Sequence, residues 1–291
     1  MKECNTIRDL LEIGKASFSE NNIQNPRLNI ECILEYRLNI KRLDLHLHHD
    51  TVVNDGKYLH IQNDIDRRLK HEPLQYIVGS SGFYGLDLVV NKDCFIPRPE
   101  TEVLVGHILE WCVKHPARDF HICDIGTGSG NIAISLANNI KNAHVSAVDI
   151  SPETIRVVLK NVEKNCVSGS VQCIVGDVFS WCNDNTCFDI IVSNPPYIRP
   201  GEFATLPDEV AAYEPRRALT TKDDDGLEFY KRIIDKGLHY LRAGGLCAFE
   251  VGDEAQMRDV EKLFKKNGLY SNITAFKDYN ELDRVIVAQK K

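Results

Sequence analysis

The fold is indicated by the stretch Phe120-His121-Ile122-Cys123-Asp124-Ile125-Gly126-Thr127-Gly128-Ser129-Gly130. Its first six residues form an apolar run that is typical of a buried parallel strand. The glycines predict a tight loop, and the apolar residues that follow predict a helix. A glycine loop between a strand and a helix allows backbone to approach a ligand at the helix amino terminus. The stretch therefore predicts a ligand pocket in an α/β sheet, although dinucleotide enzymes share this pattern.

A carboxylate ends the next predicted strand, His144-Val145-Ser146-Ala147-Val148-Asp149. Asp149 follows the glycine loop at roughly the spacing of an acid that binds ribose. An ionised carboxylate accepts hydrogen bonds from both ribose hydroxyls. The alternative is that Asp149 caps the next helix, but Ser151 and Pro152 already supply a cap and a first-turn proline.

A third predicted strand, residues 171–175, leads into Gly176-Asp177-Val178-Phe179. Asp177 is a candidate acceptor for the exocyclic amine of adenine. Val178 and Phe179 are expected to lie against the ring.

The fourth predicted strand, residues 188–193, ends in Asn194-Pro195-Pro196-Tyr197. The prolines stop the strand, and the first of them keeps Asn194 out of the helical region. Asn194 Oδ1 and the Pro195 carbonyl oxygen can accept the two hydrogens of a planar NH2 group, and Tyr197 can stack on its face. The alternative is an ordinary strand end with a proline-stiffened loop. We take Asn194, Pro195 and Tyr197 as the candidate catalytic residues, with Pro196 beside them in the substrate site.

Composition narrows the class of protein. The chain has 291 residues, of which 43% are hydrophobic and 26% are charged, as in ordinary globular proteins. We find neither a signal-peptide core at the amino terminus nor an apolar run long enough to span a bilayer. The ten cysteines have no C-x-x-C spacing, which favours reduced thiols and a cytoplasmic location. The formal net charge of −7 argues against a nucleic-acid binder.

The chain is predicted to divide into three parts. Residues 1–78 read as a small helical domain, residues 79–97 as a β-hairpin connector and residues 98–291 as the catalytic domain. The segment His46-Leu47-His48-His49 is interpreted as a solvated loop, and we expect no metal site. Arg98 and Glu100 either belong to a rigid linker with a helix cap or lie beside the ligand pocket.

The remaining strands complete the predicted sheet. Two of them, Tyr270–Phe276 and Arg284–Gln289, are close enough in the chain to pair antiparallel. A doubly wound parallel sheet that ends in an antiparallel pair is the layout of class I S-adenosylmethionine methyltransferases. We therefore predict an α/β, Rossmann-like class I methyltransferase fold behind a small N-terminal helical domain.

Eight stretches together are far more specific than any one motif. They are Glu72-Pro73-Leu74-Gln75-Tyr76-Ile77 with Gly79, Phe83-Tyr84-Gly85-Leu86, Ile96-Pro97-Arg98-Pro99-Glu100-Thr101-Glu102, Asp124-Ile125-Gly126-Thr127-Gly128-Ser129-Gly130, Val148-Asp149-Ile150-Ser151-Pro152, Ser193-Asn194-Pro195-Pro196-Tyr197-Ile198, Tyr213-Glu214-Pro215-Arg216-Arg217-Ala218-Leu219 and Asp225-Gly226-Leu227. On these stretches the chain resembles, nearly end to end, the N5-glutamine methyltransferases of bacterial peptide chain release factors.

The resemblance implies a substrate and a set of site residues. The helical domain would dock a release factor, and the catalytic domain would methylate the glutamine side-chain amide of its Gly-Gly-Gln motif. S-adenosyl-L-methionine would be the cofactor and S-adenosyl-L-homocysteine the product. The residues implied to bind the cofactor are Gly126, Thr127, Gly128, Ser129, Gly130, Asp149, Asp177, Val178 and Asn194. Relatives often carry tryptophan where this chain has Val178, so no aromatic stack on adenine is expected from that position.

Two other functions remain open at this stage. An exocyclic-amine methyltransferase of the N6-adenine type uses the same tetrapeptide on nucleic acid, but the acidic balance counts against it. A non-catalytic factor-binding module could retain the fold, but the intact glycine loop, Asp149 and Asn194 count against that reading. No membrane partner and no direct nucleic-acid partner are expected.

Overall fold

The computed structural model describes residues 5–115 and 119–291. These residues form two compact units. The first contains the chain up to Ser80 together with Pro207–Tyr213, and the second contains Ser81–Leu206 and Glu214–Lys291. In the described part of the chain, the helices are too short or too polar to cross a lipid bilayer.

Helices are numbered in chain order. They are α1 (Ile7–Glu20), α2 (Pro26–Leu38), α3 (Asp55–Leu69), α4 (Leu74–Val78), α5 (Thr101–Val113), α6 (Asn131–Asn139), α7 (Pro152–Lys164), α8 (Asp208–Tyr213), α9 (Arg216–Leu219), α10 (Glu228–Tyr240) and α11 (Glu254–Asn267). Two 3-10 helices, Arg42–His48 and Pro200–Thr205, accompany them. The first contains exposed His46 and His48, so the loop expected there is a helical turn instead.

The first unit is a helical core built on capped, closely packed helices. A capping box starts α1, because Thr6 Oγ1 accepts the Asp9 amide at 3.2 Å and the Asp9 carboxylate accepts the Thr6 amide. Gly14 allows α1 and α2 to approach, since a Cβ there would lie 2.5 Å from the Ile30 side chain. Pro26 occupies the first turn of α2, where its missing N–H is harmless.

The return of Pro207–Tyr213 to the first unit is a feature that the sequence did not predict. Arg68 is 6% exposed, and it donates to Asn29 at 2.7 Å and to Glu209 at 3.0 Å. The Tyr213 hydroxyl donates to the Lys70 carbonyl oxygen at 2.7 Å. A buried guanidinium held by several partners therefore ties this short segment to α2 and α3.

A two-stranded sheet of β1 (Ser80–Phe83) and β2 (Leu86–Val89) occupies the stretch where a hairpin was expected. The two loop residues, Tyr84 and Gly85, have φ values of 47° and 76°. Positive φ at both positions suits the two-residue turns that match the twist of paired strands.

The second unit is organised around seven strands. They are β3 (Phe120–Ile125), β4 (Ala143–Asp149), β5 (Val171–Val175), β6 (Phe188–Ser193), β7 (Leu241–Glu250), β8 (Tyr270–Lys277) and β9 (Asp283–Lys290). Their spatial order is β5-β4-β3-β6-β7-β9-β8. Strands β3 to β7 are parallel, whereas β9 is antiparallel to both β7 and β8. The predicted doubly wound sheet with a terminal antiparallel pair is confirmed.

Apolar side chains cover both faces of this sheet. Successive residues of a strand point to opposite faces, so Ile122 and Ile190 join one buried cluster and Cys123 and Ile191 join the other. The first cluster includes residues of α5, α6 and α7, and the second includes residues of α10 and α11. Both faces are therefore sealed, which leaves the carboxyl edge of the strands for a ligand.

The strand order reverses between β3 and β6, which pair in parallel with Asp124 opposite Val192. The glycine loop follows β3, and Asn194 follows β6. Ligands of open α/β sheets bind at such a reversal, beyond the carboxyl ends of the strands. The two motifs singled out in the sequence therefore meet at one place.

Candidate active site

The glycine loop offers open backbone to a ligand. Gly126 has a φ of 70°, and a Cβ placed there would meet no atom within 4 Å. The Gly126 and Thr127 amides both donate to the Val148 carbonyl oxygen at 2.9 Å, and the Gly128 amide donates to the Asp149 carboxylate at 3.2 Å. These three N–H groups are engaged within the protein. The first half of the loop therefore presents exposed Cα surface, at Gly126, rather than free amides.

Gly130 closes the loop against its own helix. It has a φ of 82°, and an added Cβ would lie 3.0 Å from the side chains of Ile134 and Val158. Ser129 and Thr127 are almost fully buried beside it. A side chain at position 130 would thus collide with the core, which fixes the loop's shape.

Asp124, at the end of β3, is a candidate site residue that the sequence reasoning missed. It is fully buried, and its Oδ2 accepts the Thr127 hydroxyl at 2.6 Å and the Ala133 amide at 3.1 Å. Among the described residues, its Oδ1 is one of few buried side-chain atoms without a hydrogen-bond partner. Burial raises the pKa of this carboxyl from 3.8 to about 7. A buried acceptor without a partner at the ligand edge of the sheet is a place for a cationic or donor group.

The signal for Asp124 was present in the sequence. An acid that ends a buried apolar strand directly before a glycine loop is unexpected, because burial of an unpaired carboxylate is unfavourable. The strand pattern alone gives Asp124 no role.

Asp149 lies at the end of β4 with both carboxylate oxygens oriented by backbone. Oδ1 accepts the Ser151 amide at 2.9 Å, and Oδ2 accepts the Gly128 amide. Each oxygen keeps a lone pair for a second donor. Burial raises the pKa of Asp149, whereas these hydrogen bonds and the charge of Arg217 lower it. Ser151, not Asp149, caps α7, as expected from the sequence.

Ile150 is an exposed apolar residue at the site, and the sequence pattern gives it no role. Its side chain is 61% exposed, directly after Asp149 at the carboxyl edge of the sheet. A large aliphatic side chain this exposed beside a polar carboxylate suits one face of a flat apolar ring. Ile150 directly follows the predicted end of β4, and this position is the signal that could have identified it.

Asp177, Val178 and Phe179 follow β5. The Asp177 carboxylate accepts from Arg232 at 2.6 Å, an ion pair that the sequence did not reveal. Val178 adopts a φ of 55° and is 4% exposed, and Phe179 is 5% exposed. Both apolar side chains belong to the core cluster below this edge. A ring bound here would therefore meet little of either side chain.

Asn194 emerges from β6 as a half-buried amide with its nitrogen directed inward. Its Nδ2 donates to Thr101 Oγ1 at 3.3 Å. Pro195 is buried and Pro196 is partly exposed, so the chain leaves the strand in a rigid path. The arrangement leaves the amide oxygen as the end available to a substrate NH2 group.

One side of the Tyr197 ring packs against Gly252 of the same unit. A Cβ on Gly252 would lie 2.8 Å from that ring, and the Tyr197 carbonyl oxygen accepts Gln256 Nε2 at 3.3 Å. Burial raises the pKa of the Tyr197 phenol to about 12, so the hydroxyl stays protonated at neutral pH. Tyr197 is thus suited to a steric and stacking role rather than to proton transfer.

The sequence allows two roles for Arg98 and Glu100. Arg98 forms a hydrogen-bonded ion pair with Glu214, which is 5% exposed, and its guanidinium lies 4.7 Å from the Phe95 ring centre. Glu214 also accepts the Ile96 amide at 3.1 Å. Glu100 directly precedes α5 without a side-chain cap. For Arg98, these contacts favour the rigid-linker role.

The buried Asp124 carboxyl predicts a pH-dependent stability. Its raised pKa means that the folded protein retains a proton that the unfolded chain releases. This stabilising contribution is complete below about pH 3.8 and is lost as the pH rises through about 7. Relative to Asp124→Asn, the wild type should lose on the order of 1–3 kcal/mol in its free energy of unfolding between about pH 5 and pH 8. Urea unfolding without cofactor measures this, and parallel pH curves for both proteins would contradict it.

Comparisons with known proteins identify the family of the chain. A family model described as the PrmC N-terminal domain matches residues 9–79, and one described as the methyltransferase small domain matches residues 101–209. The release factor glutamine methyltransferase of Geobacter sulfurreducens is 37% identical over 281 residues, covering 97% of this chain and 95% of the relative. The enzyme of the same name from Chlorobaculum tepidum is 35% identical over 285 residues, covering 96% and 95%.

A solved structure supports the fold at lower identity. The crystal structure of the hMettl16 catalytic domain in complex with a MAT2A 3'UTR hairpin has a TM-score of 0.57 and 19% sequence identity. It covers 81% of this chain and 82% of that one. This likeness shows the fold alone, whereas the sequence identity to full-length bacterial relatives shows the family. The chain belongs to the release factor glutamine methyltransferase family.

Proposed function

We propose that this protein transfers a methyl group from S-adenosyl-L-methionine to the side-chain amide nitrogen (N5) of the glutamine in the Gly-Gly-Gln motif of peptide chain release factors. The observation that carries the proposal is the Asn194 amide at the end of β6. Its nitrogen is held by Thr101 at 3.3 Å, so its oxygen is the end left for a substrate NH2 group. The neighbouring strand β3 leads to the glycine loop, which supports a cofactor site within reach of this amide.

The residues at the carboxyl edge fit S-adenosyl-L-methionine. Asp124 Oδ1, buried and without a partner, suits the ammonium group of the methionine part. The open backbone at Gly126 leaves room for that part to approach. Asp149 would hold the ribose hydroxyls and Ile150 would cover one face of adenine. When bound, the cofactor supplies a methyl group already activated by its sulfonium.

The protein must then align the substrate nitrogen with the methyl group of the cofactor. The nitrogen of a glutamine amide is a poor nucleophile because its lone pair is delocalised into the carbonyl. Acceptance of both N–H groups by Asn194 Oδ1 and the Pro195 carbonyl oxygen would direct the lone pair and favour positive charge developing on nitrogen. The protonated Tyr197 would bound the substrate on one side. Holding the nitrogen in line in this way can supply much of the rate enhancement.

The first unit is proposed to dock the release factor. It carries exposed apolar side chains on its 3-10 helix, Leu43 at 76% and Leu47 at 70% exposure. Leu43 also lines a cleft of about 770 Å³ together with Leu28, Arg27 and Arg42. Both arginines pair with Glu31 in the same cleft, so the surface combines exposed leucines with ion pairs, which suits a protein partner. A substrate that acts in translation also favours a cytoplasmic location.

A methyl-transfer assay tests the proposed function directly. Full-length release factor, its Gln→Ala variant in the Gly-Gly-Gln motif and an adenine-containing DNA would be offered with radiolabelled cofactor. We expect label in the intact factor only, located at glutamine by mass spectrometry. Label in the Gln→Ala variant would refute glutamine as the acceptor, and label in DNA would favour an exocyclic-amine methyltransferase.

If the first unit docks the release factor, loss of its docking surface should raise KM and leave kcat unchanged. The double variant Leu43→Ser, Leu47→Ser should raise KM for intact release factor by roughly 10-fold or more, because two apolar anchors are lost. Its kcat and its affinity for S-adenosyl-L-homocysteine should stay as in the wild type. Val113→Ser, which changes a 77% exposed valine of the second unit, is the matched control. An unchanged KM in the double variant would remove this surface from the proposal.

A further inference from the structure

We propose that Thr101 and Glu250 set the direction of the Asn194 side-chain amide, so that its nitrogen stays with the protein and its oxygen faces the substrate. The inference rests on the proposed function, because it explains how the amide clamp keeps the correct end outward. The two ends of a primary amide have nearly the same shape but opposite hydrogen-bonding character. Only surrounding partners can therefore decide which end points out.

The three residues come from different elements and meet beside the site. Thr101 is the first residue of α5, Glu250 is the last residue of β7, and Asn194 directly follows β6. Strands β6 and β7 pair in parallel with Ser193 opposite Phe249, so Asn194 and Glu250 leave the sheet side by side. Thr101 and Glu250 are 1% and 3% exposed.

The hydrogen bonds run in one direction. Asn194 Nδ2 donates to Thr101 Oγ1 at 3.3 Å, and Thr101 Oγ1 donates to Glu250 Oε2 at 2.6 Å. Asn194 also acts on the Glu250 carboxyl, because it lowers the pKa of that group. Thr101 does not use its hydroxyl to cap α5, which begins without a side-chain cap.

An ionised Glu250 leaves one arrangement. A carboxylate only accepts hydrogen bonds, so the single Thr101 hydroxyl proton must point towards Glu250. The remaining Thr101 lone pairs can then only accept, and they accept from Asn194 Nδ2. With the amide reversed, Asn194 Oδ1 would face those lone pairs and its NH2 would face the substrate NH2. The reversed amide is disfavoured on both sides.

Protonation of Glu250 removes this direction. A neutral Glu250 can donate to Thr101, which is then free to donate to Asn194 Oδ1. Burial raises the pKa of Glu250 from 4.5 to about 7, while Thr101, Asn194 and the charge of Arg284 lower it and the charge of Glu100 raises it. The orientation should therefore be lost as the pH falls below about 7.

Arg284 and Tyr230 lie near Glu250 but form hydrogen bonds with atoms other than its carboxylate. Arg284 of β9 donates to the Val251 and Gly252 carbonyl oxygens at 3.1 and 2.9 Å and pairs with Asp278. The Tyr230 hydroxyl of α10 donates to the Glu250 backbone carbonyl at 2.8 Å. Arg98 and Glu250 also act electrostatically on the Tyr197 phenol. Tyr197, Glu250 and Asp253 act in the same way on the Tyr230 phenol. Glu250 itself is the group here whose pKa lies at about 7.

Three variants test the inference in the full-length protein with intact release factor. Thr101→Val keeps the shape and removes the hydroxyl, and Glu250→Gln keeps the shape and removes the charge. Both should lower kcat by roughly 10–100-fold, because the acceptor is misoriented, while S-adenosyl-L-homocysteine affinity stays within about twofold. Thr101→Ser restores the hydroxyl and should restore most of kcat. At saturating S-adenosyl-L-methionine, where protonation of Asp124 affects cofactor binding rather than kcat, wild-type kcat should fall as the pH drops below about 7, and Glu250→Gln should lack that dependence.

Thr154→Val is the matched control. Thr154 is 3% exposed and donates its hydroxyl to the Asp93 carbonyl oxygen at 2.7 Å, so its loss also removes one buried hydrogen bond. This control should keep kcat and the pH profile. If Thr101→Val and Glu250→Gln keep wild-type kcat and pH profile, or lose cofactor affinity in parallel with kcat, the orienting role is refuted and the proposed function stands. A wild type that transfers no methyl group to release factor would refute the proposed function and this inference together.

A measurement on the wild type avoids dependence on the folding of variants. The side-chain NH2 resonances of Asn194 can be assigned by their absence from Asn194→Ala. They should shift with pH around a midpoint of about 7 as Glu250 titrates. Resonances that do not change with pH would overturn the inference.

Discussion

Asn194→Ala should lose about 2–4 kcal/mol of transition-state stabilisation, or roughly 30–1000-fold in kcat, with cofactor affinity largely intact. The variant removes the one side-chain oxygen proposed to accept a substrate N–H group. The size of the effect is estimated from single preorganised hydrogen-bond groups in other active sites. The Asn194 contact with Thr101 at 3.3 Å should make the loss large, because that contact fixes the oxygen in place before the substrate arrives.

The measurement is single-turnover methyl transfer to intact release factor at saturating cofactor. Calorimetry with S-adenosyl-L-homocysteine provides the companion measurement of cofactor affinity. Asn185→Ala, which changes an exposed asparagine in a loop of the same unit, is the control and should behave as the wild type. A near wild-type rate for Asn194→Ala would exclude the amide clamp, since no neighbouring side chain replaces its oxygen in the described site.

Much of this site could be predicted because its parts lie at the ends of strands. The apolar runs that became β3, β4, β5 and β6 each stop at a turn signal: glycine follows β3 and β5, Asp149 ends β4, and Asn194 follows β6. Parallel strands bring their carboxyl ends to one edge of the sheet. The sequence therefore indicated that the glycine loop, Asp149 and Asn194 would meet, and the strand order places β3 next to β4 and β6.

The contacts that orient these residues could not be predicted in the same way. Thr101 and Glu250 are 149 positions apart, Asn194 and Thr101 are 93 apart, and Arg68 and Glu209 are 141 apart. No periodicity within one element reports such pairs, because each depends on where two elements stop relative to each other. The return of α8 to the first unit was missed for the same reason.

Side-chain direction at loop positions was also beyond the reach of pattern. Val178 and Phe179 read as residues that would face a bound ring, yet both are buried in the core. The left-handed backbone at Val178, with a φ of 55°, changes the direction of the chain after Asp177. A β-branched residue is rarely found in that region, so neither the turn nor the inward packing was foreseeable from composition.

Asp149→Ala should weaken S-adenosyl-L-methionine and S-adenosyl-L-homocysteine by the same factor. Both molecules carry the same ribose, and each hydrogen bond to a charged acceptor contributes about 1.5–3 kcal/mol. Loss of both should reduce affinity by roughly 10²-fold or more. Glu153→Ala, which removes an exposed carboxylate in the first turn of α7, should leave affinity within about twofold.

The variant also frees two backbone amides, so ribose recognition must be separated from loop support. Asp149 Oδ1 and Oδ2 accept the Ser151 and Gly128 amides, and their loss alone could loosen the glycine loop. An S-adenosyl-L-homocysteine analogue without ribose hydroxyls makes the distinction. If Asp149 binds ribose, the analogue should bind the wild type weakly and should lose little further affinity in Asp149→Ala. If the analogue instead loses as much affinity as the natural ligand, then Asp149 acts on the cofactor only through the loop. Calorimetry that gives unchanged affinity for both natural ligands would remove Asp149 from the binding site altogether.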